Sequence, residues 1–167
     1  MSKDLKHIDG ELLENELAKI RSIADYQFGK GVGLKLFSEN VRIEHSPKTG
    51  RIRFISLEGS RLATLRPTDG LLSLSIKAAK YIMENAAFAH CLVAVKNDVS
   101  TFIAEGGDVF AVHVVKVDPE IRAGDEVIVV DEANKVLAVG KATLSSVEIM
   151  AFKSGVAVKV RHGAEKT

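Results

Sequence analysis

The feature that most constrains this chain is a series of short β-rich segments between residues 106 and 163, interrupted once by a helix-start signature. Residues 125–131, Asp-Glu-Val-Ile-Val-Val-Asp, form a brief apolar run closed by acids, the pattern of a strand buried on both faces. A polar turn over residues 132–135 leads into residues 136–144, a second β-rich run interrupted by Gly140, where a bulge or a close backbone approach is expected. Ser145, Ser146, Val147 and Glu148 then have the spacing of a capping box, in which the serine and glutamate side chains each satisfy a backbone N–H. That helix is predicted to end at Gly155, a residue type that takes the left-handed conformation past a helix end. In residues 156–161, Val156, Val158 and Val160 alternate with Ala157, Lys159 and Arg161, so the two cations are predicted to share the face opposite the valines. Many short strands with one brief helix indicate a small closed or nearly closed β-barrel.

The preceding residues read differently. Residues 11–25 have the stripe of an amphipathic helix: Leu13, Leu17, Ile20 and Ala24, flanked by Leu12 and Ile23, with Asp9 as N-cap. Gly29, Gly31 and Gly33 lack the G-x-G-x-x-G spacing of a nucleotide loop and follow a helix pattern instead of a strand. They read as a helix break before a short helix over residues 34–38. Residues 41–45 and 51–57 flank a turn-rich connector and form a predicted hairpin, extended into a meander by residues 62–65. Arg51 and Arg53 are placed on one strand face with Arg42 across the hairpin. Arginines so placed serve either solubility, with Glu44 as local partner, or contact with a phosphate backbone. After the turn at residues 66–70 come a short strand, 71–75, and a helix, 77–85, with Ala78, Ala79, Ile82 and Met83 as its apolar side. Residues 91–95 are strand-like, and Asn97 is predicted to cap a helix running to Glu105, with Val99, Phe102 and Ile103 inward and Gly106-Gly107 ending it. The tail 164–167 is expected to fray.

Composition excludes several classes. Apolar residues make up 46% of the 167, enough for a core and too many for a disordered chain. No apolar run approaches the roughly 20 residues that span a bilayer, and the acidic, polar start does not suit a secretory signal. The one cysteine, Cys91, excludes an intramolecular disulfide and fits a reducing cytoplasm. It cannot build a cysteine-rich zinc site, and the five histidines are scattered. His90 and Cys91, adjacent on a strand, would point to opposite faces. No metal, cofactor or catalytic residue is therefore expected, and no paired carboxylate or Ser/His arrangement stands out. Residues 1–95 carry 14 Lys and Arg against 11 Asp and Glu, and residues 96–167 carry 9 against 11. Any binding of phosphate by the second half thus requires its cations on one face, since attraction is screened beyond about 8–10 Å.

Residues 107–110 (Gly-Asp-Val-Phe), 121–127 (Ile-Arg-Ala-Gly-Asp-Glu-Val), 138–140 (Ala-Val-Gly) and 155–161 (Gly-Val-Ala-Val-Lys-Val-Arg) resemble, in order and spacing, a PUA domain. This is the RNA-binding module of pseudouridine synthases and archaeosine transglycosylases. Many PUA domains carry Pro-Gly after the Val-Phe strand, where this chain has Val112-His113. Residues 24–31, 51–53, 62–67 and 69–71 resemble the domain preceding PUA in archaeosine tRNA-guanine transglycosylase. The resemblance covers most of residues 24–163 in the family's own domain order. It implies an α+β chain: an N-terminal α/β meander domain over residues 1–88, then a PUA-type β-barrel with short helices over 89–167, with the border within 84–90.

The resemblance further implies a free-standing version of the transglycosylase's C-terminal tRNA-binding half. Such a protein binds structured RNA, tRNA near its acceptor end, and assists tRNA modification in the cytoplasm without catalysis, DNA or a membrane. The transglycosylase barrel, with its nucleophilic aspartate and zinc site, has no counterpart in the sequence. Two alternatives remain: a subunit that completes a split transglycosylase by docking on a catalytic chain, and a translation or ribosome-associated factor. The implied RNA footprint is Gly106, Gly107, Asp108, Val109 and Phe110, with Lys153, Lys159, Arg161 and His162 beside them and Arg42, Arg51 and Arg53 on the hairpin. Because Gly106-Gly107 follow a helix C-terminus, whose dipole repels anions, their contribution is expected to be steric openness.

Overall fold

Leu17, Ile20, Ala24 and Phe28 are all buried at the three- and four-residue spacing of one helical face, and this stripe anchors helix α1 (Ser2–Phe28). The computed structural model describes residues 2–86 and 89–166. Asp9 lies inside α1 and is not its N-cap: a lone glycine, Gly10, costs a helix only about 1 kcal/mol and does not end it. Gly31, with φ 90°, instead starts α2 (Val32–Leu36), two residues earlier than residues 34–38 predicted. The Gly33 N–H donates to Asp25 Oδ1 at 2.7 Å, and a Cβ there would meet the Arg21 carbonyl oxygen at 2.1 Å, so α2 packs directly on the α1 backbone.

Strands β1 (Arg42–His45), β2 (Ile52–Leu57), β3 (Ser60–Leu65) and β4 (Leu72–Leu74) form the expected antiparallel meander in chain order. Helix α3 (Ile76–Asn85) follows, capped by the Ser75 hydroxyl, which accepts from the Ala78 N–H at 3.1 Å. Strand β4 is an edge, and the Gln27 side chain pairs with it. Its amide donates to the Leu72 carbonyl at 3.1 Å, and its oxygen accepts from the Leu72 N–H at 2.7 Å.

The second sheet holds β5 (Leu92–Val95), β6 (Val109–Phe110), β7 (Val114–Val117), β8 (Glu126–Val130), β9 (Val136–Ala142) and β10 (Val156–Gly163), with helices α4 (Ser100–Ala104) and α5 (Ser146–Ala151). The order β6-β10-β9-β8-β5-β7, with β5 and β8 parallel, makes the nearly closed six-strand barrel that the sequence indicated. All five residues of β8 are buried because two cores share the strand. Val127 and Val129 pack inside the barrel with Ala138, Ala142 and Val158. Ile128 and Val130 join Cys91, Val136 and Val139 against the α1, α3 and β1–β4 layer. This seam positions everything that follows.

Several local expectations need correction. Gly140 sits in register between Val127 and Val160, so it is the close approach and not a bulge. Asn97 caps no helix: its Oδ1 accepts from the Glu132 N–H at 3.1 Å, and α4 begins only after a 3₁₀ turn, Asn97–Val99. Phe102, expected inward, is exposed. Helix α5 has its full capping box but ends at Ala151, where Phe152 turns extended, and Gly155 (φ 96°) lies in the turn into β10. The tail is tied down: the Ala164 N–H donates to Leu137 O at 2.8 Å and the Glu165 N–H to Ala104 O at 2.9 Å, while Thr167 lies outside the described residues. Residues 87 and 88, within the expected domain border, also lie outside them. No helix among the described residues is long and apolar enough to cross a membrane.

Candidate nucleic-acid interface

The glycine loop leaves α4 through Gly106, whose φ of 106° only glycine adopts freely. Gly107 is not open as expected. A Cβ there would lie 2.3 Å from the Phe102 ring, so that ring, turned out from the core, covers the backbone where steric access had been predicted. Gly107→Ala is expected to swing this exposed ring aside and to cost about 1 kcal/mol or less, read as a small shift in thermal melting. Asp108 Oδ1 accepts from the Val160 N–H at 2.9 Å and pins the loop to β10. Val109 is buried opposite Val158, which leaves Phe110 as the exposed side chain of the short strand, edge-on to His113 at 6.2 Å. A 3₁₀ turn, Ala111–His113, stands where PUA domains commonly carry Pro-Gly.

On β10 the alternation breaks at a bulge between Val160 and His162. Lys159 is exposed and lies opposite Lys141, and His162 is exposed one residue beyond the bulge. Lys153 is exposed in the turn after α5. Arg161, the extra residue of the bulge, does not join Lys159 as a free cation. Its Nη1 donates to Glu126 Oε1 at 2.9 Å, and its Nη2 donates to Glu126 Oε2 and, at 2.8 Å, to the Leu74 carbonyl. Glu126 is only 2% exposed, and its Oε2 also accepts from the Leu74 N–H at 2.6 Å. The bulge has thus turned Arg161 into the link between β8, β10 and the edge strand β4.

The hairpin cations are likewise rearranged. Arg42 is exposed and ion-paired with Glu44 at 3.6 Å. Arg51 is exposed and immediately precedes β2. Arg53 sits in a bulge of β2, its guanidinium 5.1 Å from the Phe54 ring centre. Arg61, which the sequence reading missed, stacks over the same ring at 3.6 Å. Its signal was there. Glu58-Gly59, both at positive φ, form a two-residue hairpin turn that fixes the β2–β3 register and places Arg61 opposite Ser56, itself opposite Arg42. Arg53 and Arg61 therefore gather around Phe54, with Arg42 across the hairpin opposite Ser56.

Cys91 is fully buried, and its thiol is pushed well above the usual range first by burial, then by the charges of Asp118 and Glu126. It is a core atom, not a nucleophile or ligand. Among the described residues no three His, Cys, Asp or Glu side chains are grouped to hold a metal ion.

Compared with known families, residues 18–88 match the patch-forming domain C2 of tRNA-guanine transglycosylase, and residues 92–164 match the PUA domain. The tRNA-guanine(15) transglycosylase of Methanobrevibacter smithii is 43% identical over 153 residues, covering 92% of this chain and 23% of that protein. The chain spans about a quarter of the length of the curated relatives it matches. A hypothetical protein of Pyrococcus horikoshii has a TM-score of 0.73 at 23% identity over 92% of each chain. A PUA-domain protein of Thermoplasma acidophilum has a TM-score of 0.64 at 21% identity, over 90% of this chain and 89% of that one. Both share the fold. The chain thus joins a C2 domain of the tRNA-guanine transglycosylase type, over residues 18–88, to a PUA domain over residues 92–164.

Proposed function

We propose that this chain binds structured RNA, holding tRNA near its acceptor end, and contributes RNA binding without catalysis to transglycosylase-type tRNA modification in the cytoplasm. The observation that carries this reading is the order of the two matched families, C2 then PUA, as part of relatives named tRNA-guanine(15) transglycosylase. The side chains support it in kind. Lys159, His162 and Lys153 are exposed around β10, the Gly106–Phe110 loop is pinned beside it by Asp108, and Arg53 and Arg61 crowd one aromatic ring with Arg42 on the neighbouring strand. Structured RNA is read by shape, phosphate contacts and unstacked ends, and this mixture of cations, backbone and one exposed phenyl suits such reading.

With Arg161 engaged at the seam, Lys159 is the β10 cation left to meet a phosphate. Lys159→Ala is expected to weaken tRNA binding and flatten the slope of log K against log salt by about 0.7–0.9, the loss of one phosphate contact. Titrations of full-length tRNA and of tRNA lacking its single-stranded 3′ end, each at several salt concentrations, test both halves of the proposal. Equal affinity for the two RNAs removes the acceptor end, and an unchanged slope removes Lys159.

A second reading has its own observation. Val147 is 76% and Met150 59% exposed, one turn apart on α5, with Phe152 and Val112 also exposed. These apolar side chains suit a protein contact with a catalytic transglycosylase chain. Val147→Asp would abolish co-elution with that chain and leave tRNA affinity intact if the second reading holds.

A further inference from the structure

We propose that a groove at the seam of the two sheets, lined by Arg61, Thr64, Ser73, Ser75, Arg161 and His162, takes a phosphate group of the RNA backbone and so binds both domains to one nucleotide. This rests on the RNA-binding reading and adds a contact that neither domain makes alone. The groove has a volume of about 210 Å³, room for roughly seven waters at about 30 Å³ each and hence for one solvated phosphate.

Its lining is set by strand register. Thr64 of β3 lies directly opposite Ser73 of β4, and Ser75 follows at the end of that edge strand. Arg61 enters from the start of β3, and the β10 bulge brings Arg161 and His162 from the other sheet. Two guanidiniums, an imidazole and three hydroxyl-bearing residues thus line the groove, and no carboxylate is among its described lining residues. Arg161 fixes one wall but adds little net charge, because the buried Glu126 carboxylate matches it. Arg61 is different. It is exposed, no ion pair involves it among the described residues, and the Phe54 ring holds its guanidinium plane at 3.6 Å. A ring-stacked guanidinium keeps its in-plane N–H donors free, and these make the short, charge-assisted bonds that phosphate oxygens accept.

The larger cleft at the same junction, about 550 Å³, behaves in the opposite way. Glu120 and Asp125 line it against one guanidinium, Arg122, with Glu126 already matched by Arg161, so its balance of charge disfavours a phosphate. Volume alone would choose that cleft; charge chooses the groove.

Two titrations test the proposal. In the first, inorganic phosphate is added to isotope-labelled protein, and the amide resonances of Thr64, Ser73, Ser75 and His162 are expected to shift in wild type and not in Arg61→Ala. In the second, tRNA is titrated across salt concentrations. Arg61→Ala is expected to weaken binding about tenfold and to flatten the salt slope by about 0.7–0.9, with Arg61→Lys retaining the slope. His162→Gln serves as a second variant should Arg61→Ala melt early. If wild type binds tRNA and neither variant changes affinity or slope, the groove is not an RNA contact. A phosphate response without a tRNA effect likewise overturns the backbone assignment and leaves a free-anion site. If wild type binds no tRNA, the RNA reading itself fails, and the phosphate titration alone decides whether the groove takes an anion.

Discussion

Arg161→Ala is expected to lower the unfolding free energy by about 2–4 kcal/mol. The reason is the state in which it leaves Glu126. That side chain has no solvent exposure, and Arg161 provides both of its charged hydrogen bonds. Without Arg161, Glu126 keeps the Leu74 N–H as its donor, and the Leu74 carbonyl loses the guanidinium it accepts from. Breaking a fully buried pair costs about 3–5 kcal/mol. Here the Arg161 side chain is 33% exposed, so water reaches the vacated site and lowers the figure. Urea denaturation measures it. The double variant Arg161→Met with Glu126→Leu is expected to recover most of the loss, because it removes the orphaned charge along with its partner. A melting curve for Arg161→Ala equal to wild type would show that the pair does not hold the seam. Lost tRNA affinity in this variant therefore reports a loosened seam together with the groove wall that Arg161 forms, whereas in Lys159→Ala it reports a missing phosphate contact.

That contrast marks where reading the sequence stops. Local patterns were legible. The short apolar run of β8, the Ser145–Glu148 capping box and the β1–β4 meander all appear as their residues suggested, because each is decided within a few positions by propensity, periodicity or turn chemistry. What escaped depends on partners distant in the chain. Alternation put Arg161 beside Lys159 on a free face, but Glu126 is 35 residues away and Leu74 is 87 away. A bulge that turns a cation toward a buried carboxylate leaves no mark on a strand pattern. Gly107 looked open because its cover, Phe102, seemed destined for the core. Arg61 could have been found by carrying the Glu58-Gly59 hairpin register across to Ser56 and Arg42. The grouping of cations around Phe54 was thus partly legible, and the seam groove was not, since two separate sheets build it.

Gly140→Ala is the substitution expected to disturb the candidate interface most from inside the barrel, at about 3 kcal/mol, the upper end of the usual range for overpacking. A Cβ at Gly140 would lie 2.3 Å from the Lys159 carbonyl oxygen and 2.9 Å from the Val160 Cα. Both are backbone atoms of β10, so no side chain can rotate away, and relief requires β10 to move off β9. Strand β9 lies between β8 and β10, with Val127 fully buried opposite Gly140, which closes the other direction of escape. Moving β10 carries more than one strand with it. The Val160 N–H holds Asp108 and the glycine loop, among the described residues β6 pairs only with β10, and Arg161 leads to the seam. Gly140→Ala should therefore reduce stability in urea and also weaken tRNA binding at temperatures where the chain remains folded, because Lys159, His162 and the loop shift together. A variant with reduced stability but wild-type tRNA affinity and salt slope would separate the barrel's packing from RNA binding and move the footprint to the arginines around Phe54.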